Sequence, residues 1–586
     1  MATFRIPNAN GQVRQLNIND TTGEIFSSFN MDLHSEPGKI KLAYPFKRVA
    51  EATEIGDDVV QAFGYGTSTR AYVLTDQNLY TSTAASGYDT WTVASSSPQN
   101  AEDMVLFQNQ FIISTTDDLD AYDITPGSTF GDYTSDWWTA RGNPNLTSNN
   151  PVSLVPRVLE VARIGAETLV VLDGSEVHAY TGGIASGAVT SVTMDIDSTF
   201  TASCFKSSIR KGWVGSFSEI EPQAFVFEWN VASTSYVQAY PIGAKSVLAM
   251  ELDNDTPVII TERGEIKKFN NAGFTTIAQL PFARKAEFID LVNTAFNNNN
   301  VNRAVHPKGM KRIGRELFIY VNFRNNSNLP MNERTPSGLW VCNLDTGSLS
   351  HYGSPAGESS FDRVSPIMMI DNPTTRIFMG GDRDVGSNQE GVWIEDFTAD
   401  AANYGQITTV EIASGNIQDV YERLISKSLL DNNDKVVVKF RTKNDIDYPL
   451  TVQGVAWSSA TSFNTTSDLS VVKTRFDASL ENRDEVEFIL GSGAGRLAHI
   501  TNITKSASTY EVTIDESIGT ATETSTVRFD NWKKIPKEHI EANGEIQSFG
   551  AGESGSWGQF KVEYKGKNQY PETREILIKT NPKEKL

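Results

Sequence analysis

The chain has 586 residues, of which 39% are hydrophobic, 21% charged and 10% aromatic, with a formal net charge of -21. That length suits roughly three to five domains, or one large repeat architecture with additions, and the aromatic content excludes a disordered chain. Its 51 Lys+Arg against 72 Asp+Glu exclude adhesion to nucleic acid by phosphate neutralisation, and its 2 cysteines exclude a disulfide framework or a thiolate metal cluster, though not one isolated bridge between Cys204 and Cys342.

Residues 1–54 read as an extended arm, sparse in apolar residues and punctuated by Pro7, Pro37, Gly38 and Pro45. Its start, MATFRIPNANGQV, lacks the basic and apolar segments of a secretory signal. No apolar run in the chain approaches the roughly 20 residues that span a bilayer, so a soluble protein made in a reducing cytosol is expected. A locally basic stretch carries Lys39, Lys41, Lys47 and Arg48. It reads either as a solvated loop or as part of an arm lying on a neighbouring subunit. The arm cannot bury Phe26, Phe29, Leu33, Ile40, Leu42 and Phe46 by itself, which marks these six as candidate interface residues; packing on its own propeller is the competing expectation.

Residues 55–404 repeat one pattern: an apolar run, a polar turn and a second run closing on a bulky residue. It occurs in AYVLTDQNLY (71–80), FIISTTDDLDAY (111–122), TLVVLDGSEVHAY (168–180) and AFVFEWNVASTSYVQAY (224–240). It recurs in PVIITERGEIKKF (257–269), LFIYVNF with GLWVCNL (317–344) and RIFMGGD with GVWIEDF (376–397). Runs of Val, Ile, Phe and Tyr broken by Asp, Asn and Gly are hairpins. Seven hairpins at uneven spacings of roughly 35–60 residues fit propeller blades with loops of different length better than solenoid rungs. The expectation is an all-β chain with a β-propeller of about seven blades. One helix is expected within 284–300, where Phe288, Leu291, Val292 and Phe296 fall at helical intervals.

The C-terminal third reads as a β-sandwich of residues 405–450 and 534–580, interrupted by a small β-barrel at 451–533. VVVKFRTK (436–443) is expected beside FKVEYKG (560–566) in one sheet, with EVEFIL, LAHITNI and YEVTID as barrel strands.

No reaction centre is legible. There is no Walker A, HExxH or GxSxG sequence, and GSGAG (491–495) lies between strands, which suits a tight turn rather than a phosphate cradle. The six histidines are scattered, and His178 and His499 sit in strand patterns as core or interface residues. Asp382, Asp384, Asn388 and Glu390 around Gly386 form a weak calcium candidate, with an ordinary long hairpin turn as the plain alternative. ELDNDTP (251–257) and DDLDAYD (117–123) are weaker still. SGYDTWT (86–92) has part of the sialidase-type turn but is not repeated. Trp137, Trp138 and Tyr133 could form a glycan-binding surface at a blade top, although a core or interface cluster is the preferred reading.

The arm with SFNMDLHSEPGKIKL, the irregular propeller and the blocks FRTK (440–443), GSGAGRLAHI (491–500) and WGQFKVEYKG (557–566) together resemble tail nozzle (tail tubular protein B-like) proteins of short-tailed bacteriophages. The chain is shorter than the best-known members. The resemblance implies a non-enzymatic virion component assembled in the host cytoplasm, without cofactor or catalytic residues. It implies partners of three kinds: copies of the chain in a ring, neighbouring tail proteins such as an adaptor and fibres, and genomic DNA passing without specific binding. An acidic lumen repels phosphates, in keeping with a DNA ejection conduit. A receptor- or glycan-binding propeller at the virion surface is the alternative, and a propeller glycosidase a more distant one.

Overall fold

The computed structural model describes residues 2–6, 25–33, 39–50, 55, 60–124, 133–146, 157–182, 191–280, 305–321, 338–353, 366–369, 377–381, 391–397, 403–413, 420–429, 434–442, 450–477, 484–534, 545–547, 557–567 and 571–581, with short gaps inside some of these stretches. Seven four-stranded antiparallel sheets build a β-propeller. Six are continuous in sequence, at 60–95, 103–134, 158–195, 201–241, 247–279 and 310–353. The seventh takes three strands from 367–395 and its fourth, outermost strand from Phe46–Ala50 near the chain start.

Local chemistry explains the blades. Leu169–Leu172 and Val177 with Ala179 are buried on both faces, as strands packed between two neighbouring sheets must be. Two-residue turns join the strands. Gln108 and Asn109 both hold positive φ (48° and 64°) between Phe107 and Gln110, the mirror-image turn whose twist matches its flanking strands. Gly174 (φ 63°) serves the same end between Asp173 and Glu176.

The core is a ring of seven apolar clusters, one in each gap between blades. Tyr72 and Phe111 meet between blades one and two, for example, and Phe217 and Leu317 belong to the cluster between blades five and six. The ring is closed by Val49 of the arm, which joins Val60, Tyr80 and Trp91 of blade one and Phe378 and Val392 of blade seven.

Where it is described, the arm is therefore built into the chain's own sheets, and five of the six apolar residues expected at an interface are spent within the chain. Phe29, Leu33, Ile40 and Leu42 are buried within the chain, and Phe46 packs against the cluster between blades six and seven. Phe26 lies in the strand Ile25–Phe29, but its side chain is outside the described residues. The physical reason is pairing: Ile25–Phe29 hydrogen-bonds to Asn403–Thr409, and both Ala2–Ile6 and Ile40–Leu42 to Glu572–Asn581. The basic stretch is spent in the same way. Lys39 and Lys41 reach Glu572 (3.2 and 3.7 Å), Lys47 reaches Asp89 (2.8 Å) and Arg48 lies over Trp393.

These strands complete two six-stranded sheets. In one, Met31–Asp32, Ile40–Leu42, Glu572–Asn581, Val420–Leu429 and Glu545–Gln547 follow in order. In the other the order is Ile25–Phe29, Asn403–Thr409, Trp557–Gly566, Lys435–Thr442 and Lys533–Lys534, so 435–442 and 557–566 are neighbours. Met31 and Leu42 of the first sheet meet Gly405 of the second, where no side chain intervenes. Six strands between Leu450 and Phe529 close a barrel, plugged by Val472 and Phe476 of the helix Ser470–Asp477. In the turn that starts at Gly491 (φ 79°), a Cβ would lie 2.1 Å from the Thr524 carbonyl oxygen, so only glycine fits. The helix expected within 284–300 lies outside the described residues.

Candidate functional site at the propeller axis

The first strand of every blade faces the central channel, in the order Val60–Thr67, Asp103–Phe107, Val158–Ala162, Thr201–Ser207, Val247–Asp253, Met310–Ile313 and Ile367–Met369, and the last abuts the first. Apolar side chains fill the gaps between blades, so charged residues on these strands are left to the axis. Glu160 of blade three and Lys206 of blade four pair at 2.6 Å. Lys308, just before the first strand of blade six, reaches across to blade two, where its Nζ lies 2.8 Å from Asp103 Oδ1 and donates to the Met104 carbonyl at 2.9 Å. The Asp103 carboxylate also accepts the backbone N–H groups of Met104 (2.8 Å) and Leu159 (2.7 Å). Lys308 thus straps three blades together through one carboxylate.

Electrostatics sets Lys206 and Lys311 apart. Burial opposes the Glu160 charge, but Lys206, Lys308 and Lys311 outweigh it and hold its carboxyl at about 2. Burial likewise works against the Lys206 ammonium, and Glu160 and Glu251 more than offset it, so that amine is held above its ordinary value. Lys311 shifts the other way: repulsion from Lys206 and burial push its amine down, only partly countered by Glu251 and Glu160. Among the described residues the Lys311 ammonium makes no ion pair or hydrogen bond. It lines a cavity of about 150 Å³ with Phe63, Lys308 and the segment Pro366–Met369, between blades six, seven and one. Among the described residues the axis of the propeller is thus lined by charges of both signs, paired between blades.

The residues singled out from sequence fall elsewhere. Asp382, Asp384, Asn388 and Glu390 lie outside the described residues. Among the described residues no group of three or more His, Cys, Asp or Glu could hold a metal, and no helix is long and apolar enough to cross a membrane. In 251–257, Asp253 is taken by Lys268 (2.6 Å) and Arg312 (3.1 Å). In 117–123, Asp120 accepts the Tyr133 hydroxyl and the Asp136 N–H. Trp137 and Trp138 are buried in the cluster between blades two and three and are no exposed aromatic platform. Trp91 of the sialidase-like turn is also core, and Asp89 pairs with Lys47. His178 packs near Trp138 and contacts the Thr193 hydroxyl, and His499 contacts Asp515 (3.0 Å). Cys204 and Cys342 are both free and buried.

Sequence reasoning missed the axial lysines, although a signal was present. Glu160, Glu251 and Lys311 each lie one strand before a recognised hairpin, and Lys206 two strands before one, which is where a blade's first strand falls.

No protein-family model matches the chain, and no curated protein does. Solved structures similar to it include the WD40 β-propeller domain of Doa1, at 12% identity over 60% of this chain and 96% of that one, with a TM-score of 0.37. The β-propeller domain of Cps50 (Swd1) from Myceliophteria thermophila matches at 7% identity over 60% and 99%, TM-score 0.38, and the computationally designed Ika8 protein at 10% over 58% and 96%, TM-score 0.33. The propeller assignment rests on the sheet order and ring closure described above.

Proposed function

We propose that this protein is a non-enzymatic structural component of a phage tail, a nozzle-like subunit that works in a ring of its own copies. One observation carries the reading: the first fifty residues stitch the modules into a single body. The strand Ile25–Phe29 edges a sandwich sheet while Phe29 stacks on His351 of blade six (4.9 Å) and Asn30 donates to the His351 ring. A few residues later the same segment closes blade seven. A chain that spends its terminus on fixing modules to one another suits a scaffold better than an enzyme that opens and closes. The nozzle-like arrangement of arm, propeller and sandwich with inserted barrel supports the tail assignment.

Because the described strands of the arm pair within the chain, the ring contacts are assigned to the outer faces of the propeller, sandwich and barrel. Negative-stain imaging and mass photometry of the purified chain, alone and with an adaptor protein, test this. Closed rings of one stoichiometry are expected. A monomer at all concentrations that also ignores the adaptor would overturn it.

A further inference from the structure

We propose that the axial cavity binds a small monocarboxylate with an apolar body, received by the ammonium of Lys311. The walls divide the chemistry between them. Phe63, Ile367, Met368 and Met369 supply an apolar lining, and Lys311 supplies a cation without a partner among the described residues. Lys308 also lines the cavity, but Asp103 and the Met104 carbonyl already occupy its ammonium. Lys311 is half-buried, Glu251 and Glu160 act on it without direct contact, and an incoming anion would add that contact. Glu160 is committed to Lys206 at 2.6 Å, and no described carboxylate lies within ion-pair distance of Lys311.

Size narrows the ligand. A cavity of about 150 Å³ is the size that admits one benzene ring. That is too small for a sugar chain or a nucleotide, and it suits a benzoate-sized acid whose ring lies on Phe63 and the methionines with its carboxylate at Lys311. A phosphate ion would satisfy the charge but leave the apolar walls without a partner.

Isothermal titration of the full chain with benzoate, benzamide and inorganic phosphate tests the proposal. Benzoate is expected to bind saturably, with benzamide and phosphate each at least tenfold weaker. Lys311→Met keeps the length of the side chain and removes its charge. It should weaken benzoate at least tenfold, about 1.4 kcal/mol, while thermal unfolding stays in place, and Lys311→Arg should retain most of the binding. Equal affinity of wild type and Lys311→Met for benzoate would overturn the assignment. So would benzoate failing to bind the folded wild type, or phosphate binding more tightly than benzoate. None of these outcomes depends on whether the protein forms rings.

Discussion

Arg48, which belongs to the arm, pairs in register with Trp393 in the seventh blade, and its guanidinium lies 5.5 Å from the centre of the Trp393 ring. Two residues 345 positions apart thereby share one sheet, and the propeller is circular because of it. Deleting residues 1–50 should strip blade seven of its outer strand, remove one strand from the second sandwich sheet and three from the first, and leave exposed edges prone to pairing with other chains. The expected result is aggregation and loss of the native thermal transition. A folded, monodisperse truncation that merely fails to assemble would show that the arm serves other subunits.

Lys439 sits almost wholly buried between Asp484 (3.1 Å) and Glu563 (2.8 Å), with Arg475 3.4 Å from the other oxygen of Asp484. Lys439 and Glu563 belong to the sandwich, and Asp484 and Arg475 to the barrel. Burial disfavours the lysine charge, but Glu563 and Asp484 overcome it and raise its pKa. Lys439→Met should destabilise the chain by about 3–5 kcal/mol, because it strands the buried Glu563 carboxylate and leaves Asp484 with Arg475 alone. Urea unfolding followed by tryptophan fluorescence measures this. Adding Asp484→Asn and Glu563→Gln should recover much of the loss, and a single-mutant effect below about 1 kcal/mol would contradict the buried-pair argument.

Glu160 makes the propeller acid-sensitive. Its carboxyl is held at about 2 when folded, against an ordinary 4.5. A depressed carboxylate stabilises fully above its unfolded pKa, and the benefit fades as pH falls from about 4.5 towards 2. The gap is worth about 3 kcal/mol at most. Glu160→Gln should therefore lower Tm at pH 6, with the difference from wild type shrinking below pH 4. A constant difference across pH 2–6 would show that the loss is one of packing.

The thiols should be silent. Cys342 is fully enclosed between blades five and six, and burial pushes its thiol up to about 12. Cys204 is buried beside Gly215, where even an added Cβ would lie 2.5 Å from its sulfur. Ellman's reagent should titrate no thiol in the native protein within minutes and 2 thiols per chain after denaturation. Fast reaction of either thiol in the native state would show that its blade opens.

The sequence showed most where chemistry is local. TLVVLDGSEVHAY announces two buried strands and the turn between them, and the structure makes it the middle hairpin of blade three. Six of the seven hairpins became the middle hairpins of blades, richly apolar because they are buried between neighbouring sheets, whereas 224–240 became the outer pair of blade four, whose last strand Tyr236–Pro241 is largely exposed. First strands such as Met310–Ile313 carry little apolar signal, since one side of each looks onto the axis. The arm was misread for a different reason. FKRVA looks half-polar alone, and only pairing with Gly391–Glu395 reveals it as a blade strand. The Lys308–Asp103 strap was equally invisible, because the partners lie 205 positions apart and meet only when the ring is complete.

The closing strand also sets a timetable. Phe46–Ala50 leaves the ribosome among the first elements, yet its partner Gly391–Glu395 is made some 340 residues later. At about 5–20 residues per second the wait is roughly 20–70 s. Throughout that interval the nascent chain holds an unpaired strand with buried-type residues such as Val49, and six blades can stack while the circle stays open. The Ala2–Ile6 strand waits longer still, because its partner lies in Glu572–Asn581. Closure of the fold is thus gated by synthesis of residues 391–395 and 572–581. A translation pause between these two ends would act on this protein as a folding defect, with no change in its amino-acid sequence.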